Sequence, residues 1–434
     1  MSLLQLSRYL RSFFRMSPRQ VAARIRRVLN KQSRYAMFGL GRDWSRLLTE
    51  GICSAVADQW RCSDSLGIQE SAPLSMSELV LADEIVAGTF TFLNQSCQLE
   101  SSSEKSWMLD PFDDKLWQYN LHYQDYLRLL LKAYLSTMDS KYRARIVDLV
   151  NDWISCNPFW RENAWEPHTI AKRLDNWCQV LTHPAVREHL SCDFLREVLK
   201  SIAMQSDFLY KNLEWDVGNN HLITDAKALA IVGTVFSSLP LSSMWRERGY
   251  GLLWEEMEKQ VHSEGSHYEY SMSYHMVVLM DYIEAVLIAQ KQGICVPPGV
   301  LKTLEAMFSY LASMILPTNE LFLVNDSVVG YPMHPKELLA VGVYMFKRGD
   351  WKYLARDAHL SYLAWTCGSV GVAEFERLPT ELPKRKHFGW RESGYYVLRS
   401  GWSSEDTVIL FDCGSLGPKH SCGHSHADAL SFCL

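Results

Sequence analysis

A change of period along the chain constrains the fold more than any other feature. Up to about residue 370 apolar residues recur at helical spacing; beyond residue 388 they fall into short runs of β-branched and aromatic residues. Ile146, Leu149, Val150, Trp153 and Ile154 share one helix face, as do Leu195, Val198, Leu199 and Ile202 behind a capping Asp193. Ser17 and Pro18 make an N-cap and N1 pair that opens a helix through Val28. The same spacing predicts helices at 121–136, 168–181, 223–236, 274–290, 299–315, 335–347 and 351–365, with mostly short connections. No fixed repeat period runs through them, so antiparallel helix pairs are expected to close into a toroid or to stack.

Arg377 to His387 carries Pro379 and Pro383 amid charge and reads as a linker. Gly394–Arg399 and Thr407–Phe411 then read as strands flanking the turn-like Ser400–Ser404. The last apolar run, Ala429–Leu434, reads as an unfinished strand. Two or three strands alone rarely make a stable sheet domain, so the sequence is expected to be cut short. The expected fold class is mainly α, organised as an N-terminal helical region (1–105), a larger helical domain (106–376), a linker (377–388) and the start of a β-domain (389–434).

Composition narrows the function classes. Of 434 residues, 12% are aromatic, with 15 Trp and 20 Tyr; such rings stack on pyranose faces in sugar clefts and also fill helix cores. A net charge of −5 argues against a broad nucleic-acid surface. The first 34 residues are the exception, with Arg8, Arg11, Arg15, Arg19, Arg24, Arg26, Arg27, Lys31 and Arg34. A segment of that kind suits a membrane surface, an acidic polymer or, most simply, a solvated helix face. No secretory signal is visible, and the best membrane-span candidate, Met276–Ala289, is interrupted by Asp281 and Glu284. Eleven cysteines without CxxC pairs read as reduced core thiols. The chain reads as cytoplasmic by default, with the periplasm as the alternative.

Three clusters can carry chemistry. Trp215–His221 places Asn219, Asn220 and His221 at the entrance of an apolar helix, where an amide and an imidazole meet the positive end of the helix dipole; ordinary turn chemistry uses the same residues. Glu264–His275 crowds titratable and phenolic groups into the start of another helix, with Tyr274 in the first turn. His424, His426 and Asp428 alternate, so an extended strand puts them on one face, which suits metal ligation, a shared catalytic site or a polar turn.

These residues, in this order, make the chain resemble the heparinase II/III lyases over nearly its whole length. Earlier landmarks agree: Ala82–Gly88 with Phe90 and Phe92, Leu116–Tyr123, and Trp165-Glu166-Pro167 with Arg173 and Trp177. Asn325-Asp326-Ser327 and Gly394–Arg399 complete the series. The resemblance implies an incomplete (α/α) toroid followed by antiparallel β-sandwich domains, with the active site in the cleft between them. It implies β-elimination on a uronic-acid polymer, either glycosaminoglycan-like or a bacterial exopolysaccharide. In that chemistry the uronate carboxylate is neutralised, a base removes the C5 proton, and an acid protonates the departing glycosidic oxygen. Asn220 matches the neutralising amide with His221 assisting, Tyr274 the tyrosine that is base, acid or both, and His424 the catalytic histidine. Trp117, Tyr119, His122, Trp165, Arg173, His267 and Glu269 are the candidate substrate-binding residues; of these, Trp165, Arg173 and His267 are expected to face one groove with Asn220 and Tyr274. His426, with Asp428 as a second candidate, implies one structural divalent metal, zinc or calcium, and no other cofactor is expected. The partner is an acidic polysaccharide and not nucleic acid.

Two alternatives stand beside this. An (α/α) toroid glycoside hydrolase needs two carboxylates about 5–9.5 Å apart, drawn from Glu264, Glu269 and Asp216. A non-catalytic module would only bind acidic polysaccharide.

Overall fold

A computed structural model describes residues 16–32, 44–62, 74–100, 103–159, 161, 163–415 and 431–433. The chain divides into two compact units. One holds the described residues of 26–214 and 224–250; the other holds those of 16–25, 215–223 and 251–433. The expected change at 377–388 therefore separates helices from strands and is not the line between the units.

The element order begins with α1 (Pro18–Gln32), α2 (Trp44–Leu47), α3 (Glu50–Cys62), α4 (Met76–Val86) and a hairpin, β1 (Thr89–Phe92) with β2 (Gln95–Gln98). It continues through α5 (Glu104–Trp107), α6 (Lys115–Tyr123), α7 (Tyr126–Thr137), α8 (Ser140–Cys156), α9 (Pro167–Leu181), α10 (Pro184–Arg187), α11 (Cys192–Lys211), α12 (Asn219–Val235) and α13 (Ser242–Gln260). In the first unit local signals set the boundaries. Ser75 and Glu78 form a capping box at α4, and Pro167 occupies the first turn of α9. Leu93 and Asn94, both at positive φ, turn the hairpin.

Two expectations are corrected here. The helix expected over 121–136 is two helices, because Gln124 takes a left-handed conformation (φ 58°) between α6 and α7. Ser191, not Asp193, caps α11, accepting from the Phe194 N–H. The core of this unit is aromatic: Trp117, Trp153 and Trp177 are fully buried around an equally buried Arg173.

The second unit adds α14 (Met272–Lys291), α15 (Pro298–Met314), α16 (Pro335–Phe346), α17 (Gly349–Ala355) and α18 (Ser361–Arg377), so the helix expected over 351–365 is also two. α14 is long and apolar enough to cross a membrane, yet Asp281, Glu284 and most of its other side chains are buried in the unit, as in a core helix. Four antiparallel strands follow in the order β3 (Phe388–Trp390), β4 (Tyr395–Arg399), β5 (Val408–Asp412) and β6 (Ser431–Cys433). Tyr395, Val397 and Arg399 of β4 point inward, and Tyr396 and Leu398 outward, as period-2 patterning requires. The inward face packs on α15: Trp390 Nε1 donates to Ser313 Oγ at 3.0 Å, and the Arg399 guanidinium donates to Ser313 O at 2.7 Å. That guanidinium sits where α15 leaves its last carbonyls without helical donors.

α1 is more than a solvated face. Within the second unit Arg24 pairs with Asp216 at 3.0 Å and Arg19 stacks over the Trp215 ring. Within the first, Arg27 pairs with Glu166 at 2.7 Å and Glu214 at 2.8 Å.

Candidate active site

In the second unit, the chain enters α12 through two consecutive residues at positive φ, Gly218 (69°) and Asn219 (52°). Non-glycine residues are uncommon in that region, and Asn is among those that enter it most readily. Here the side chain supplies the hold: Asn219 Nδ2 donates to Glu269 Oε1 at 2.8 Å, and its Oδ1 accepts from the Tyr268 hydroxyl. The backbone N–H of Asn220 also donates to Glu269. Asn220 and His221 thus stand in the first turn of α12, at the positive end of its dipole. Asn220 is buried and His221 half-buried.

The second cluster is shaped by a tight loop. Val261 bridges His267 antiparallel, and the turn between them passes through Gly265 at φ 97°. A Cβ there would lie 2.2 Å from the Ala306 carbonyl oxygen, so only glycine fits. Ser271 caps α14, its Oγ accepting from the Tyr274 N–H, which puts Tyr274 half-buried in the first turn as the sequence suggests. The Asn325-Asp326-Ser327 loop docks on that cap. Met272 N–H donates to Ser327 Oγ at 2.9 Å, and Val328 N–H donates to Ser273 Oγ at 2.8 Å. Asn325 Nδ2 donates to Tyr270 O and to the Tyr395 hydroxyl, tying the segment before α14 to β4.

The electrostatics centre on Glu269, which has no exposed surface. Burial pushes its carboxyl up to about 8, against the lowering influence of His221, the Asn219 amide and the Asn220 N–H, with Asp326 adding to the rise. Tyr274 is pushed up to about 12, first by burial and then by the charges of Glu269, Tyr331 and Asp326. Tyr268 is raised by burial and by Glu269 and Glu256. Glu269 thus takes the Asn220 N–H and acts electrostatically on Tyr274. His267 is 1% exposed, so it does not face a groove; its Nε2 stands 3.2 Å from Gln260 Oε1 and its Nδ1 3.5 Å from Glu269 Oε2. Glu269 itself is buried behind the Asn219 turn and reaches solvent nowhere, which corrects its expected place on the substrate surface.

In the first unit, four of the expected substrate-binding residues are likewise interior. Trp117 packs edge-on against Phe92 and Phe112 and donates to Gln95 O. His122 accepts from Trp153 Nε1 at 3.2 Å, and burial followed by the Arg173 charge lowers it to about 3, so it is neutral. Trp165 donates to Asn157 O amid Trp153, Phe159 and Phe208. Arg173 donates to Gln205 Oε1, His122 O and Ala164 O, with Trp153 under its guanidinium. The physical reason is common to all four: each packs inside the helical core, where the Trp117 and Trp165 N–H groups and the Arg173 guanidinium find acceptors and His122 Nδ1 takes the Trp153 N–H. Tyr119 differs, being half-buried and stacked with Tyr123. His424, His426 and Asp428 lie outside the described residues.

The "Heparinase II/III N-terminus" family model matches residues 60–346, and the "Heparinase II/III-like, C-terminal" model matches residues 382–434. The chain belongs to the heparinase II/III family. Among curated members, a heparin-sulfate lyase of Bacteroides thetaiotaomicron is 27% identical over 315 residues, covering 70% of this chain and 43% of that one. A heparin-sulfate lyase of Pedobacter heparinus is 25% identical over 324 residues, covering 73% and 46%. This heparinase II/III chain thus spans about half the length of the curated relatives it matches. Its fold is that of a heparinase III crystal structure (TM-score 0.71, 22% identity, 88% of this chain and 60% of that one). A heparan sulfate lyase structure from Pedobacter heparinus shares it too (TM-score 0.58, 21% identity, 85% and 57%). The mainly α class, with toroid helices leading into antiparallel strands, is therefore shown.

The clamp that Tyr268 and Glu269 place on Asn219 is what sequence reasoning missed. The available signal was a carboxylate between two tyrosines directly before a serine cap.

Proposed function

We propose that this chain carries the helical catalytic portion of a polysaccharide lyase that cleaves a uronic-acid-containing, glycosaminoglycan-like polysaccharide by β-elimination. One observation carries the reading. The Asn220–His221 turn at the head of α12 and Tyr274 in the first turn of α14 are both coupled electrostatically to the same buried carboxyl, Glu269, in a family whose matched relatives are named heparin-sulfate lyases.

The uronate carboxylate docks at the Asn220 amide and the α12 N-terminus, where N–H groups and the dipole favour an anion. Neutralising that charge makes the C5 proton removable. Removing it sends the C–H electron pair into a new C4–C5 double bond, the C4–O bond breaks, and the departing oxygen takes a proton. A phenol held near 12 enters the reaction protonated, so Tyr274 suits the donor to that oxygen. If Tyr274 is also the base, it first has to lose its proton against the burial and neighbouring charges that raise it. His424 is the candidate for the remaining proton transfer.

The three carboxylates the hydrolase reading draws on are all engaged or buried within the protein. Glu264 accepts from the Ser393 N–H and hydroxyl, Asp216 pairs with Arg24, and Glu269 is fully buried. The test is ultraviolet absorbance of the unsaturated uronate over a panel of glycosaminoglycans and acidic exopolysaccharides. The chain is expected to generate it, and Tyr274→Phe to cut turnover by about 10²–10⁴ while leaving the fold intact. Reducing ends without that absorbance overturn the proposal.

A further inference from the structure

Glu269 is the most buried carboxyl of the candidate site, yet β-elimination assigns it no proton to carry. We propose that Glu269 is a positioning residue that holds the Asn219–His221 turn in register with Tyr274. The part concerning Tyr274 turnover rests on the lyase reading; the part concerning the turn does not.

Three observations support it. Asn219 has a left-handed backbone, and both ends of its side-chain amide are gripped from one segment, by Tyr268 and Glu269. The same carboxyl takes the Asn220 N–H, so a single side chain fixes two successive residues of the turn that presents Asn220 and His221. It does this with no exposed surface, beside His267, which Gln260 holds from α13.

The buried position also gives the carboxyl a charge state that matters to its neighbours. The groups facing it are Asn219, the Asn220 N–H and His221 from α12, and His267 and Tyr268 from its own segment. Tyr274 of α14 and Asp326 of the 324–328 loop are coupled to it electrostatically. Glu256 of α13 acts on Tyr268. A negative charge on Glu269 raises Tyr274 further, so a protonated Glu269 leaves Tyr274 freer to exchange its proton. Above about pH 8 Glu269 ionises and turnover is expected to fall.

The experiment compares the protein with Glu269→Gln and Glu269→Ala. Glutamine keeps an oxygen for Asn219 Nδ2 and the Asn220 N–H but carries no charge. Hydrogen exchange at the amides of 218–222 is expected to accelerate tenfold or more in Glu269→Ala and much less in Glu269→Gln. Wild-type exchange rates in Glu269→Ala overturn the proposal. In turnover, Glu269→Ala is expected to lose kcat at least tenfold, Glu269→Gln less, and the alkaline fall of kcat/KM to be absent from Glu269→Gln. An alkaline limb that persists in Glu269→Gln refutes the charge coupling. A protein that makes no unsaturated product on any uronate polymer defeats the lyase reading, and the exchange data still decide the positioning role.

Should Glu269→Ala not fold, thermal melting of Glu269→Gln replaces it. An acid whose folded value is raised gives stability that is full below its ordinary value of 4.5 and lost as pH rises through about 8. The melting temperature of Glu269→Gln relative to wild type is therefore expected to climb across that window. A constant difference overturns the inference.

Discussion

Replacing Arg173 by methionine separates a core residue from a substrate ligand. The guanidinium is 0% exposed and donates to three neutral acceptors: Gln205 Oε1 at 2.8 Å, His122 O at 3.1 Å and Ala164 O at 2.9 Å. Methionine fills much of the volume but leaves those three buried acceptors without their donor, at about 1–3 kcal/mol each. The Trp153 ring, 3.8 Å from the guanidinium carbon, loses a cation–π contact of up to about 2 kcal/mol. Against this, the protein no longer buries a cation that has no carboxylate within ion-pair distance among the described residues, a relief of several kcal/mol. The balance is a destabilisation of about 2–5 kcal/mol, read as a lower urea midpoint of unfolding. Arg173→Lys is expected to fall between, because one ammonium cannot span three diverging acceptors. An Arg173→Met protein with the wild-type midpoint and a selectively weakened grip on polymer would refute the reasoning and restore Arg173 to the substrate surface.

Two further predictions concern the scaffold. His122, His183 and His275 are lowered, chiefly by burial, to about 3, 4 and 4, so each is neutral when folded. Their contribution to stability is full above about pH 6.5 and declines by up to about 1.4 kcal/mol per pH unit for each as pH falls toward 4; the midpoint gap between wild type and His275→Gln should therefore shrink with acid, and a pH-independent gap contradicts it. Gly265→Ala meets both a positive φ and the Ala306 carbonyl oxygen, so at least about 3 kcal/mol of stability should be lost in thermal or urea unfolding, and a normal melting temperature contradicts the loop geometry.

What was legible in the sequence was local. Helix starts at Pro167, Met272, Pro298 and Pro335 lie within two residues of where proline, serine and apolar spacing place them, because caps and first turns are set by neighbours in sequence. Gln124 breaks a helix that spacing makes continuous, and nothing in its side chain announces a left-handed backbone. Asp193 looked like a cap, but the hydroxyl two residues earlier reaches the free N–H first. At the candidate site, Asn220 and Tyr274 were legible because both stand at helix entrances. The burial of Trp117, His122, Trp165 and Arg173 was not, since it is decided by which helix face packs inward and by partners 8–51 residues away. Glu269 was read as a substrate group because its clamp on Asn219 joins residues 50 apart.

The central claim is elimination, and the mass balance of the products tests it most directly. A uronate oligosaccharide of defined length, cut once by the protein, gives two fragments that mass spectrometry weighs. Elimination adds nothing from solvent, so the two masses are expected to sum to that of the parent, with the fragment carrying the new non-reducing end bearing the C4–C5 double bond. Fragments summing to the parent plus one water, with the water's oxygen traceable to labelled solvent, would contradict the account and show hydrolysis instead.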